Sequence, residues 1–134
     1  MRRLSVSVGF VVLLALAIAA CGTSSGGAGA TGSTISLGAS SFNGTTTLTI
    51  QAGQSVTFDD TSGGTHDLVT GTNGQFAAVS GAPSELSTAD GLHLTAGDKK
   101  TITFANAGTY QITCTIHPSM QATITVTAAA GSGY

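Results

Sequence analysis

The chain has 134 residues, of which 41% are hydrophobic and only 7% are charged, and its formal net charge is −2. A disordered chain would be poor in apolar residues and rich in net charge, so this composition predicts one folded domain. Lys and Arg together number 4. Since no basic patch is available to neutralise phosphates, we expect no nucleic-acid partner.

The N-terminal segment has the pattern of a secretion signal. Arg2 and Arg3 precede an apolar run, Leu4 to Ala20, that ends in small residues before Cys21. A positive start, an apolar stretch and small residues at the cleavage point are typical of a secretory signal. The Cys directly after them resembles a bacterial lipobox. We therefore expect residues 1–21 to be a lipoprotein signal peptide, with an ordinary signal peptide or an uncleaved anchor as the alternatives.

Lipidation of Cys21 would hold the protein on the outer side of a membrane, at a periplasmic or cell-surface face. Residues 22–33, GTSSGGAGATGS, are rich in Gly and Ser and predict a flexible linker. A folded domain is expected over residues 34–128, followed by a loose tail over residues 129–134.

Apolar residues two positions apart recur through the domain, with Thr, Ser or other polar residues mostly between them. The pairs are Ile35 and Leu37, Leu48 and Ile50, Val56 and Phe58, Leu92 and Leu94, Ile102 and Phe104, and Ile124 and Val126. This period of two is typical of strands that are buried on one face. The spacing predicts an all-β fold, an antiparallel Greek-key β-sandwich of seven or eight strands. A short helical turn is expected around Glu85 to Ala89, within the less regular stretch 71–91.

The rarest residue types of the chain cluster near its C-terminal end. Cys114, His117 and Met120 fall within seven residues, although the chain has only two Cys, three His and two Met. Thiolate, imidazole and thioether are donors that favour copper, and two His, one Cys and a long axial Met form the blue-copper pattern. Zinc also binds Cys and His, but a zinc site has no use for the Met.

A trigonal site needs a second His, and the chain offers two. His66 alternates in phase with Leu68 and is expected to point into the sandwich. His93 lies between Leu92 and Leu94 and is expected to point into solvent. The alternation therefore favours His66 as the partner of Cys114, with a buried core histidine as the alternative interpretation of that residue.

Residues from about Thr34 to Ala128 resemble the plastocyanin/azurin family of cupredoxins. The Cys-x-x-His-x-x-Met run from Cys114 to Met120 is similar to that of amicyanin, and Thr65-His66-Asp67 is similar to the family's first-ligand region. The resemblance implies that one type I copper ion is held by four ligands, namely His66, Cys114, His117 and Met120. The family usually has Asn where this chain has Asp67, and often has Gly where it has Ala122.

The expected function is extracytoplasmic one-electron transfer between transient redox partner proteins, by a monomer tethered to a membrane through Cys21. A copper carrier, storage or copper-homeostasis lipoprotein with the same ligands is the alternative, and a metal-free adhesion sandwich is another. We expect no enzymatic activity, because copper enzymes of this fold need further copper sites and the chain has no further His cluster to form one. A Cys21–Cys114 disulfide would remove both the anchor and a ligand.

Overall fold

The computed structural model describes residues 32–131, and the predicted signal peptide, most of the predicted linker and the last three residues of the predicted tail lie outside them. Ten strands and one 3₁₀ turn, Ser84–Leu86, make up its regular structure. The strands are β1 (Ser33–Leu37), β2 (Phe42–Asn43), β3 (Thr47–Gln51), β4 (Gln54–Asp60), β5 (Thr65–Thr72), β6 (Gln75–Phe76), β7 (Leu92–Thr95), β8 (Lys99–Phe104), β9 (Gly108–Cys114) and β10 (Gln121–Thr127). Within this range no helix has the length and hydropathy needed to span a bilayer.

The strands form two sheets. The first sheet has the order β2-β1-β4-β8, and the second has the order β3-β10-β9-β5-β6, with β7 also paired to β5. The chain passes repeatedly from one sheet to the other, since β3 lies in the second sheet and its neighbours in sequence, β2 and β4, lie in the first. Two layers related in this way bury one face of each sheet against the other.

The core consists of the inward residues of both sheets. Phe58 and Phe104 come from the first sheet and Ile112 and Ile124 from the second, and all four are fully buried. Each such side chain contributes about 1.5–3 kcal/mol relative to leaving it exposed. The ring of Tyr110 packs 5.4 Å from that of Phe104, and its hydroxyl lies 2.9 Å from the Asn106 carbonyl oxygen, to which it donates.

The predicted all-β sandwich is confirmed, with two differences in detail. Ten strands are present rather than seven or eight, because β2 and β6 have only two residues each and are too short to show an alternating pattern. Two pairs, β1 with β4 and β3 with β10, are parallel rather than antiparallel. These pairs join strands from distant parts of the chain, which alternation within one strand does not specify.

The edges of the predicted domain shift slightly. β1 begins at Ser33, which the sequence pattern placed in the linker. The predicted helical turn around Glu85 to Ala89 is a 3₁₀ turn at Ser84–Leu86. Residues 128–131 are exposed and follow the last strand without regular structure.

Candidate metal centre

Two neighbouring strands and one loop bring the predicted ligands together. His66 is the second residue of β5 and Cys114 is the last residue of β9. Leu68 of β5 pairs directly with Cys114, and His66 lies two residues before Leu68 on the same face of the strand. The strand register therefore brings the side chains of His66 and Cys114 to one end of the sandwich.

The loop between β9 and β10 supplies the other two residues. It is closed by two backbone hydrogen bonds, one from Met120 N to His117 O at 2.9 Å and one from Cys114 N to Met120 O at 3.3 Å. Met120 is fully buried and belongs to the same core cluster as Cys114. His117 is half-buried. Pro118 disfavours a helical conformation at His117 and so keeps this loop a tight turn.

The donor atoms have the spacing of a metal site. Cys114 Sγ lies 3.9 Å from His66 Nδ1 and 3.8 Å from His117 Nδ1, and the three donor atoms all lie within 4.8 Å of one another. An ion bonded to three donors in a trigonal arrangement at about 2.0–2.3 Å separates those donors by about 3.5–4 Å. This spacing and the thiolate, imidazole and thioether chemistry fit copper.

Contacts outside the donor set hold the loop in place. Thr115 N donates to the Asp67 carbonyl oxygen at 2.9 Å, next to His66 in β5. Gly74, at φ 74°, lies after β5 on the other side of the loop. A Cβ atom at Gly74 would lie 2.9 Å from Pro118 Cγ, so only glycine lets the β5–β6 turn approach the loop this closely.

His66 is buried in surroundings that favour the neutral form of its ring. Burial lowers the pKa of His66 below its usual value, and the nearby His117 lowers it further, whereas Asp60 and Asp67 act in the opposite direction. Only a neutral imidazole nitrogen binds a metal. The lowered pKa therefore leaves Nδ1 available to a metal over a wider range of pH.

Cys114 is fully buried and forms no disulfide with any other residue that the structure describes. Its possible partner in a disulfide, Cys21, lies outside residues 32–131, so that alternative stays a prediction. A buried thiol next to two imidazoles binds a metal as thiolate, and binding releases a proton.

His93 lies apart from this group. Its side chain is 60% exposed, and its Nδ1 is 2.5 Å from Asp67 Oδ1. The outward orientation predicted from Leu92 and Leu94 is confirmed, because both of these leucines are buried. Asp67, which stands where the family usually has Asn, turns its carboxylate toward His93 and uses its backbone carbonyl to hold Thr115.

Two residues behind His66 were not predicted from the sequence. Ser62 Oγ lies 3.1 Å from His66 Nε2, and Asp60 Oδ1 lies 3.9 Å from the same nitrogen. A signal for Asp60 was present, since it alternates in phase with the buried residues Val56 and Phe58 and so was placed to point inward. Ser62 lies in the turn after β4, where alternation carries no information.

Comparisons with known proteins agree with this site. The family model of copper binding proteins, plastocyanin/azurin family, matches residues 33–127. No match is found among curated protein sequences. Among solved structures, the amicyanin of Paracoccus versutus (Thiobacillus versutus) is 22% identical with a TM-score of 0.53, and the match covers 73% of this chain and 83% of that one.

Two further amicyanin structures are similar. The reduced state of one amicyanin mutant is 21% identical with a TM-score of 0.55, over 72% of this chain and 83% of that one. The Cu(I) form of another mutant gives 21% identity and a TM-score of 0.55, over 72% of this chain and 82% of that one. At this level of identity the likeness establishes the fold.

Proposed function

The chain belongs to the plastocyanin/azurin family of copper-binding proteins, and on that premise we propose that it is a one-electron carrier with copper as its cofactor. The proposed ligands of its single type I site are His66, Cys114, His117 and Met120. The observation that carries the proposal is the triangle of two imidazole nitrogens and one thiol sulfur, all within 4.8 Å of one another.

The protein holds its donors in one arrangement. His66 and Cys114 are fixed by a paired strand register, and the hydrogen-bonded loop fixes His117 and Met120. Copper, when bound, would supply a centre that gains or loses one electron between Cu(II) and Cu(I). Donors that cannot rearrange favour such a change, since little of the surroundings has to reorganise when the electron arrives.

The loop also provides a route for the electron to leave. His117 is half-buried, whereas the other proposed ligands are fully buried. Next to it Ile116 is 47% exposed, and it is one of the two large exposed apolar residues of the described chain, with Phe76. A partly exposed ring beside apolar surface suits brief contact with transient redox partner proteins, and no second subunit is needed.

Absorption and electron paramagnetic resonance spectra of the copper-loaded protein test this function. We expect an intense blue thiolate-to-copper band and a narrow parallel hyperfine splitting. Cys114→Ser should abolish both, and the matched control His93→Gln, which changes an exposed imidazole outside the site, should leave both unchanged. A colourless protein, or an ordinary tetragonal copper signal, would make copper carriage or a metal-free module the better account.

We further propose that the domain is extracytoplasmic and anchored through a lipid on Cys21, with residues 22–32 as its tether. Support comes from the apolar run and the small residues before Cys21. Mass spectrometry of the protein extracted from membranes should find a diacylated or triacylated Cys21 at its N-terminus. An unmodified Cys21, or cleavage elsewhere, contradicts the anchor and leaves the copper site unaffected.

A further inference from the structure

We propose that Ser62 is a positioning residue that fixes the tautomer of His66, and that Asp60 in turn fixes Ser62. Together they hold the proton of the neutral His66 ring on Nε2 and leave the lone pair of Nδ1 directed at Cys114. The effect on copper rests on the proposed function, whereas the tautomer is a property of the metal-free chain.

Each hydrogen-bonding site of the Ser62 hydroxyl has one neighbour that can occupy it. Its proton goes to Asp60 Oδ1 at 2.6 Å. Its oxygen accepts from the backbone N–H of Gly64 at 3.0 Å. A serine hydroxyl has one donor and two acceptor sites, so one acceptor site is left. The remaining neighbour is His66 Nε2, at 3.1 Å.

These hydrogen bonds determine which nitrogen of the His66 ring carries the hydrogen. Because Ser62 has no second proton to give, Nε2 has to be the donor and must carry the hydrogen. A neutral imidazole has only one N–H, so Nδ1 is then the acceptor nitrogen. Nδ1 lies 3.9 Å from Cys114 Sγ, on the side of the ring where the donor triangle forms. The opposite tautomer would place two lone pairs against each other at Nε2.

Asp60 is held by its own contacts. It is 1% exposed at the end of β4, and besides the Ser62 hydroxyl its Oδ1 accepts from Ser62 N at 2.9 Å. Its backbone is bonded to the turn between β7 and β8, through Asp98 O at 2.8 Å and Gly97 N at 3.0 Å. Within residues 32–131 its Oδ2 is the buried side-chain atom without a hydrogen-bond partner.

The contact to His66 is partly separable from the hydrogen bonds of the local turn. The bond from Ser62 N to Asp60 holds the turn after β4 and can be made by any residue except proline at position 62, whereas the bond from Gly64 N needs the hydroxyl. The hydroxyl adds the link to the ring. Carboxylates and other groups behind a metal-binding histidine commonly fix its ring and tautomer, and their loss costs about 10–100-fold in metal affinity. Here a serine hydroxyl stands between the carboxylate and the imidazole.

Nitrogen-15 NMR of histidine in the metal-free, full-length protein tests the tautomer directly. At about pH 8, above the ordinary His pKa, the wild type should show His66 as the Nε2–H form. Ser62→Ala should introduce a measurable Nδ1–H population, and Ser62→Thr should restore the wild-type pattern because it keeps the hydroxyl. An Nδ1–H ring in the wild type, or a Ser62→Ala spectrum identical to wild type, overturns the proposal.

Copper binding gives the second readout. In competition titrations Ser62→Ala should weaken Cu(II) binding by about tenfold or more, whereas Ser55→Ala, which changes a half-buried serine near the start of β4, should not. Asp60→Asn removes a negative charge near the ring and should lower the preference for Cu(II) over Cu(I) about tenfold, which raises the potential by about 59 mV. Unchanged affinity and potential in both variants would contradict the role of the pair.

The two readouts separate this inference from the proposed function. A protein that lacks the blue spectrum but shows the expected tautomers would refute the electron carrier and keep the role of Ser62. A protein with the blue spectrum whose His66 tautomer is unchanged by Ser62→Ala would support the electron carrier and refute the role of Ser62.

Discussion

Met120 lies at the end of the loop between β9 and β10, with its side chain fully buried. Its backbone closes the loop through bonds to His117 and Cys114, and these bonds do not involve its side chain. The axial ligand of a blue-copper site tunes its potential, since a soft thioether favours Cu(I) and a harder oxygen favours Cu(II). A change of donor atom at this position should therefore shift the redox balance while the backbone bonds of the loop are kept.

We predict that Met120→Gln lowers the reduction potential of the copper-loaded protein. The amide oxygen should favour Cu(II) over Cu(I) by about tenfold, which corresponds to about 59 mV for one electron. Met120→Leu, which has no donor atom, should raise it instead. Cyclic voltammetry measures both, with the thermal midpoints of the metal-free variants as the folding control. Equal shifts in the same direction would show that Met120 does not act as a ligand.

At this scale alternation along strands predicts part of the site. His66 and Cys114 each lie in phase with buried neighbours, so their direction could be predicted from the sequence, and the structure places both inside. Ser62 could not be predicted. Its contacts depend on the path of the turn 61–64. Side chains in a Gly-rich turn do not alternate between two faces as those of a strand do, so the sequence does not indicate where this hydroxyl points.

At the scale of elements, the turn between β7 and β8 is held by one carboxylate. Asp98 Oδ2 accepts from Thr95 N at 2.8 Å and from Thr95 Oγ1 at 2.9 Å. The backbone bond to Thr95 is the main reason that the pKa of Asp98 lies below its usual value, followed by the bond to the Thr95 hydroxyl. The same turn bonds the backbone of Asp60, so it supports the region behind His66.

We predict that this turn gives the protein an acid-dependent stability. The folded pKa of Asp98 is depressed, so the stability it contributes is present above the ordinary value of about 4 and is lost as pH falls through the lowered folded value. Urea unfolding of the metal-free protein between about pH 6 and pH 3 should show Asp98→Asn less stable than wild type at the upper end, with the difference shrinking toward the lower end.

A second variant checks the cause. Thr95→Val removes the hydroxyl donor but keeps the backbone N–H, so it should raise the pKa of Asp98 only part of the way, as followed by carboxyl carbon NMR. A stability difference between wild type and Asp98→Asn that stays constant across this pH range would mean that the carboxylate charge does not stabilise the turn.

The buried face of a strand could be predicted from the sequence better than the identity of the strand that pairs with it. Every second residue of β4 from Val56 to Asp60 is buried, as the alternation predicts. The alternation of apolar and polar residues indicates which face of a strand is buried, but it does not indicate which strand lies next to it. The parallel pairing of β3 with β10 brings together residues 76 positions apart, such as Thr47 and Thr123, and no local pattern encodes such a pairing.

At the scale of the whole molecule, charge is sparse, and the loop of the proposed electron exit, residues 115–120, contains no Asp, Glu, Lys or Arg. Two lysines, Lys99 and Lys100, are the basic residues of the described chain, and Lys99 is paired with Asp59 at 2.7 Å on the first sheet. The loop itself has uncharged residues on either side of His117. Charges separated by more than about 10 Å are largely screened at 0.1 M salt. Electron exchange through the loop should therefore depend little on ionic strength above that value.

We predict that Ile116→Lys makes this exchange slow and salt-dependent. If two molecules exchange electrons through the loops around His117, the substitution places two like charges at the contact, too close for salt to screen fully. The self-exchange rate of the copper-loaded protein, measured by NMR line broadening, should fall about tenfold at low salt and recover in part as salt is added. Thr57→Lys adds the same charge to the outer face of the first sheet, where Thr57 bonds Thr101, and should change the rate little. Equal effects of the two lysines would place the electron exit elsewhere on the molecule, because only a contact at the loop distinguishes a charge at residue 116 from one at residue 57.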